Sequence, residues 1–204
     1  MGVAILFLVF IVLLVIGVPV AFSLAAASLV ALLYLDLPAV VLVQQVGAGI
    51  GTASLIAIPL FIFAGEIMMR GGISERLIAL AAGLVGRMRG GLGQVSVLSS
   101  LFFGGVSGSA IADVSAVGGT MIPQMVKRGY DRDFAVNVSI TAALVALLVP
   151  PSHNLILFSA AAGGGISIAD LFAGGILPAL LMTAAMMLTG YVVARRRGYG
   201  TEPF

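Results

Sequence analysis

Two clusters in this sequence combine residue types able to hold an ion or a small polar ligand. The first is Ser107-Gly108-Ser109, followed closely by Asp113 and Ser115; the second is Pro150-Pro151-Ser152-His153-Asn154. Both lie in strongly apolar sequence. The stretch 101–123 reads LFFGGVSGSAIADVSAVGGTMIP. A plain transmembrane helix has no use for that mixture. In lipid every backbone N–H and C=O needs an internal partner, so irregular chain survives only where protein or a water-filled cavity shields it. Gly104-Gly105 and Gly118-Gly119 flank the Ser-Gly-Ser tip, and glycine permits a tight reversal with close backbone approach. Two half-helices meeting at Ser107-Gly108-Ser109 would expose unpaired amides and carbonyls, a site for small ions or anionic groups. Asp113 at membrane depth costs about 2.5–3.5 kcal/mol on insertion scales, which marks it as functional. At the second cluster, proline removes amide donors and frees carbonyls one turn earlier. A helix broken there supplies the other side of a discontinuous-helix site.

The elements that must position these clusters follow from composition and charge. The chain has 204 residues, 61% of them hydrophobic and 9% charged, with a mean hydropathy of +1.22. That is the composition of an integral membrane protein. It has no Cys, which excludes disulfides and thiolate metal sites. His153 is the single histidine, so a His-based metal site has no second His ligand. The N-terminal apolar run has no Lys or Arg ahead of it and a second run follows at once, so it reads as a span rather than a cleaved signal peptide.

Read in order, the chain is one transmembrane domain, 1–204. Segment 3–35 holds two helices separated at Gly17-Val18-Pro19, because its length is too great for one span. Gln44-Gln45 marks a short polar or interfacial stretch. A third helix covers 52–70, with Glu66 and Arg70 four apart and able to pair on one face. Segment 73–88, ISERLIALAAGLVGRM, has a helical apolar period and polar ends, the pattern of an interfacial helix. A re-entrant hairpin covers 92–127, a Pro-broken helix 131–165, and a last helix 170–197; Gly163-Gly164-Gly165 closes the broken span. The expected fold is all-α, with about five transmembrane helices plus the hairpin and the broken helix. Arg70, Arg76, Arg87 and Arg89 precede the hairpin, and Lys127, Arg128 and Arg132 follow it. Basic loops mark the cytoplasm, so the chain between them enters and leaves on one side. Arg195-Arg196-Arg197 stops the last helix in the cytoplasm, and the N-terminus falls outside.

These residues resemble a known family. SGSAIAD at 107–113, MIPQMVKRGYDRDFA at 121–135 and PPSHN at 150–154 are similar to the large membrane subunit of the tripartite ATP-independent periplasmic (TRAP) transporters. GVPVAFSL at 17–24, IPLFIFAGEIMMRGGIS at 58–74 and the RRRGY ending at 195–199 look similar too. The resemblance runs along nearly the whole chain in one order. It implies a sodium-coupled secondary transporter of organic acids such as dicarboxylates or sialic acid, not an enzyme. The family's large subunit is built from two inverted halves and moves as an elevator. This chain resembles the N-terminal half, so the second half of the permease is an expected partner. A small membrane subunit, a periplasmic substrate-binding protein and the lipid membrane are the others; no nucleic acid is expected. The implied location is the bacterial cytoplasmic (inner) membrane, in a multi-pass arrangement.

The resemblance implies a sodium ion as cofactor and no organic cofactor. Its expected ligands are Ser107, Gly108, Ser109, Pro150 and Ser152, since a hard cation prefers hydroxyl and carbonyl oxygens. Many family members carry hydroxyl and glycine residues where this chain has Ala142-Ala143-Leu144-Val145-Ala146-Leu147. That leaves backbone carbonyls as the donors from that turn. Asp113, Ser115 and Asn154 are the candidate substrate contacts. Asp113 has other readings: ion contact, orientation of the hairpin, or pairing with a distant Arg. Ser152 and Asn154 also suit the start of a half-helix. Two other classes compete. Gly105-Val106-Ser107-Gly108 fits the short pattern of intramembrane serine hydrolases, with His153 as base, but no oxyanion donor is identifiable. A non-transporting membrane scaffold would leave Asp113 and the broken helix without a purpose.

Overall fold

The computed structural model describes residues 1–51, 53–163 and 165–200. The expected helix start at residue 52, Gly164 and the last residues of the 1–204 domain lie outside the described residues. All regular structure among the described residues is helical. The chain packs as two compact units, Met1–Thr52 and Ala53–Phe204.

In the first unit, α1 (Gly2–Val15) and α2 (Val20–Tyr34) pack on one another. Gly17, at φ +91°, makes the turn between them, and the Ser23 hydroxyl donates to the Val18 carbonyl at 3.1 Å. Ser23, Ala27 and Ala31, four apart, form a buried face of small residues. Such faces let helix backbones approach closely where lipid offers no hydrophobic drive. The stretch around Gln44-Gln45 is itself helical, α3 (Val40–Ile50). Its apolar residues keep the 3.6 period, and the two glutamines do not interrupt it.

The second unit is organised on α6 (Gly91–Ser107), buried along most of its length. Before it come α4 (Ala53–Arg70) and α5 (Ile73–Val85), bent 71° from each other at Gly71-Gly72. After it, the chain reverses at Gly108 and continues as α7 (Ala110–Asp113), a π-helical turn at Val114–Gly118, and α8 (Gly119–Lys127). Then come α9 (Arg132–Ala143), a 3-10 turn at Leu144–Leu147, α10 (His153–Ala161) and α11 (Ile168–Arg196). Phe103, Leu92, Val95, Val117, Met121 and Met125 form the core between the hairpin arms, and Ile78 and Ala81 of α5 close one side. Polar ties cross it: Gln94 Nε2 donates to the Met187 carbonyl of α11 at 2.9 Å, and the Ser96 and Ser139 hydroxyls lie 3.3 Å apart.

The outside is apolar. Leu60, Phe63 and Ile67 on α4, and Leu177, Leu181 and Leu188 on α11, are exposed. A surface of this kind suits lipid rather than water. Among the described residues one helix, α11, is long and apolar enough by itself to cross a membrane; α4 and α5 reach that test only together, across their bend, and α1, α2, α3 and α6 are shorter.

A clasp fixes the end of α11. Arg197 Nη1 donates to Asp131 Oδ2 at 2.8 Å, and the Tyr199 hydroxyl donates to the same oxygen at 2.7 Å. The Asp131 amide in turn donates to the Tyr199 hydroxyl at 3.2 Å. The Tyr199 ring packs on Tyr130 and Phe134, with centroids 4.4 and 5.2 Å away. The Tyr199 hydroxyl, then Arg197, hold the Asp131 carboxyl below its ordinary value. A depressed carboxyl contributes stability above its unfolded pKa of about 3.9 and loses it as pH falls through the lower folded value. The clasp is therefore intact at neutral pH and loosens only below about pH 4. Tyr199→Phe keeps the ring packing and removes both hydroxyl bonds. Hydrogen exchange of the Asp131 amide is expected to quicken in this variant at pH 7; an unchanged rate would show that the stacked rings alone hold the end of α11.

Candidate functional site

Local sequence explains the hairpin tip. Gly108 ends α6 with φ +58°, the left-handed conformation that glycine adopts without strain. Ser107 Oγ donates to the Ser109 carbonyl at 3.5 Å and accepts from the Ser109 amide at 3.4 Å. Ser109 then caps the second arm, its hydroxyl accepting from the Ala112 amide at 3.4 Å. Ser109 is thus the N-cap that a half-helix start requires.

The helix break is built by its prolines. Pro150 and Pro151, joined by a cis bond, bring no amide hydrogens, so the carbonyls four residues back, Ala146 and Leu147, lose their helical donors. Ser152 replaces one of them: its hydroxyl donates to the Leu147 carbonyl at 2.5 Å and accepts from the Leu155 amide at 3.4 Å, capping α10. The Ser152 side chain is fully buried, at 0% exposure.

Tip and break meet. A Cβ built on Gly108 would run into the Pro151 carbonyl oxygen and stand 3.2 Å from the Ser152 Cα. One turn earlier, a Cβ on Gly104 would stand 2.7 Å from the Ala146 Cα. The first arm therefore lies backbone to backbone against the break. This seats the Ser107-Gly108-Ser109 turn on the backbone of Pro151 and Ser152. The hydroxyl and carbonyl oxygens of two such turns are donors that suit a hard cation rather than a soft one.

The other sequence candidates are placed differently. Asp113 is 1% exposed and points into the hairpin, and neither carboxyl oxygen has a hydrogen-bond partner of good geometry. Ser100 of α6 is the side chain that interacts with it, and among the described residues Asp113 forms no ion pair. Ser115 is exposed and bonds back to the Ile111 carbonyl at 2.9 Å. Asn154 is exposed on the first turn of α10.

A cleft of about 220 Å³ opens beside the tip instead. Gly65, Glu66 and Met69 of α4 form one wall, and Ser107, Ser109 and His153 the other. Gly65 makes the approach possible, because a Cβ there would stand 3.2 Å from the Val106 carbonyl oxygen. Glu66 accepts from Arg70 Nε at 3.0 Å. Sequence periodicity identified that pair but gave no reason to place it by the tip, since the contact between α4 and the hairpin is distant in sequence. Ser107 and His153 both line the cleft, and no hydrogen bond joins them. Ser107 Oγ is engaged within its own turn, and His153 Nε2 is buried with no partner. A nucleophile and base of a hydrolase need a hydrogen bond.

Comparison with known proteins decides the family. The model of the tripartite ATP-independent periplasmic transporter DctM component matches residues 7–203. The chain belongs to the TRAP large permease family. It is 41% identical over 203 residues to the ectoine/5-hydroxyectoine TRAP transporter large permease protein UehC of Ruegeria pomeroyi, covering 98% of this chain and 47% of that protein. It is 37% identical over 206 residues to the C4-dicarboxylate TRAP transporter large permease protein DctM of Vibrio cholerae, covering 100% and 45%. The sialic acid TRAP transporter large permease protein SiaM of Vibrio cholerae is 37% identical over 188 residues, covering 92% and 44%. The chain spans about half the length of the curated relatives it matches. These TRAP relatives are permeases, not enzymes, and the family is membrane-embedded. The hydrolase reading is not favoured.

Proposed function

We propose that this chain supplies one half, the N-terminal one, of an inverted-repeat permease that couples sodium entry to uptake of a small organic acid. It would span the bacterial inner membrane several times and move as an elevator. Its partners would be the second permease half, a small membrane subunit and a periplasmic binding protein that delivers the substrate. Sodium would sit where the tip meets the break, held by Ser107, Ser109 and Ser152 hydroxyls and by carbonyls near Gly108 and Pro150. The observation that carries this reading is the seating of Gly108 on the Pro151 carbonyl. Two irregular turns that cannot face lipid shield one another there, and their hydroxyl and carbonyl oxygens are the donors a cation would use. Asp113 and Ser115 on the hairpin and Asn154 on the first turn of α10 would be the substrate contacts.

Transport in reconstituted liposomes tests this. The chain alone is expected to take up none of succinate, ectoine or sialic acid. Adding a matching second half, the small subunit and a binding protein should give uptake of one of these driven by a sodium gradient. Sodium-driven uptake by the chain alone would contradict the half-permease reading.

A further inference from the structure

A groove of about 180 Å³ runs between α9 and α11 on the outside of the second unit. Phe134, Val138 and Thr141 of α9 line one side, and Met186, Thr189 and Val193 of α11 the other. Spacings of three and four put each set on one helix face. Thr141 and Thr189 are exposed at its edge, but their hydroxyls are spent within their own helices. Thr141 donates to the Asn137 carbonyl, and Thr189 to the Ala185 carbonyl at 2.9 Å. The surface left for an occupant is apolar. The same two faces, continued by one turn, reach Asp131 on α9 and Arg197 on α11, the two sides of the clasp. The groove therefore has a charged end. Lys127, Arg128, Arg132, Arg195 and Arg196 lie within four residues of the clasp, against one further carboxylate, Asp133. Arg197 stays 46% exposed, and its five-donor fork exceeds what Asp131 and Tyr199 take up. Arg196 beside it is exposed and, among the described residues, forms no ion pair.

We propose that this groove docks an anionic phospholipid of the cytoplasmic leaflet. One acyl chain lies between α9 and α11, and the phosphate sits at Arg196 and Arg197. The length fits. From Asp131 to Thr141, and from Arg197 back to Met186, is about 15 Å of helix. That is the depth of one leaflet in a hydrocarbon core of about 30 Å. The charge fits as well, because basic pockets between membrane helices on the cytoplasmic side take up anionic head groups, and Arg grips phosphate through paired donors. A partner helix fits less well. Helices that associate in lipid meet through small residues and interhelical hydrogen bonds. Here Phe134, Val138, Met186 and Val193 are bulky and the threonine hydroxyls are taken. A lipid bound in this way bridges the clasp and ties the start of α9 to the end of α11.

Photolabelling tests it. The purified chain is placed in phosphatidylcholine vesicles that carry a trace of phosphatidylglycerol, or of phosphatidylcholine, with a diazirine in the acyl chain. The phosphatidylglycerol probe is expected to label residues 134–141 and 186–193 about five-fold more than the phosphatidylcholine probe does, the ratio that one basic residue near the surface supplies. Arg196→Gln is expected to remove most of that preference while leaving the Asp131–Arg197 pair in place. Thr189→Phe fills the groove from an exposed position and should lower labelling of 134–141 by both probes. Leu188→Phe, exposed but outside the groove, should not. Glycerol 3-phosphate, a head group without tails, is expected not to compete; competition would make this a site for free phosphate and overturn the lipid assignment. Even labelling of all exposed faces, or a preference unchanged in Arg196→Gln, also overturns the proposal. So does loss of labelling when a second permease half and a small subunit are added, since a protein helix would then be the occupant.

Discussion

Gly108→Val is expected to unseat the hairpin tip and to lower the melting temperature of the purified chain more than any other single change at the site. Two effects add. The residue sits at φ +58°, where a side chain costs about 1–2 kcal/mol and a β-branched one more. Its Cβ would also meet the Pro151 carbonyl and the Ser152 Cα, both of them backbone. Neither can rotate away, so the tip or the break must shift, a further cost of about 1–3 kcal/mol. Gly119→Val is the control, because nothing lies within 4 Å of a Cβ there. Equal melting temperatures for the two variants would mean that the tip does not rest on the break.

Ser152→Ala is expected to be the next most damaging. The hydroxyl does two tasks in a fully buried position, donating to Leu147 and capping α10 at Leu155. Loss of a cap costs about 1 kcal/mol. The orphaned Leu147 carbonyl adds about 1–3 kcal/mol, because Pro151 cannot replace the lost donor. Ser152→Thr retains the hydroxyl and is expected to recover much of the loss. If alanine and threonine behave alike in thermal unfolding, the hydroxyl is not what holds the broken turn.

The site was legible where its chemistry is local. The Ser-Gly-Ser tip, the capping serines and the double proline each declare themselves within a few residues, because turn and cap preferences act over one helical turn. The family resemblance drew on the tip and the double proline together with longer stretches along nearly the whole chain. What escaped was non-local or depended on register. Asp113 and Ser115 are two apart, which on any helix sends them to different faces; the π-helical turn at Val114–Gly118 then shifts the register of everything after it. Glu66 and Arg70 announced a pair, but only the packing of Gly65 against Val106 puts that pair on the wall of the cleft. From sequence, Gln44-Gln45 marks a short polar or interfacial stretch and no helix is named there, where Val40–Ile50 is helical. The bend between α4 and α5 comes from Gly71-Gly72, with Gly72 at φ +76°, and its size follows from packing rather than from the dipeptide.

Whether the joined tip and break bind sodium is read from the melting temperature of the purified chain in sodium against potassium. An ion that binds only the folded state stabilises it by about 2.7 kcal/mol at one hundred times its dissociation constant. Sodium is expected to raise the melting temperature of the wild type, potassium at equal ionic strength to leave it unchanged, and Ser109→Ala to lose most of the sodium response while inserting into membranes normally. An equal rise in both salts, or a wild-type rise in Ser109→Ala, would contradict the claim.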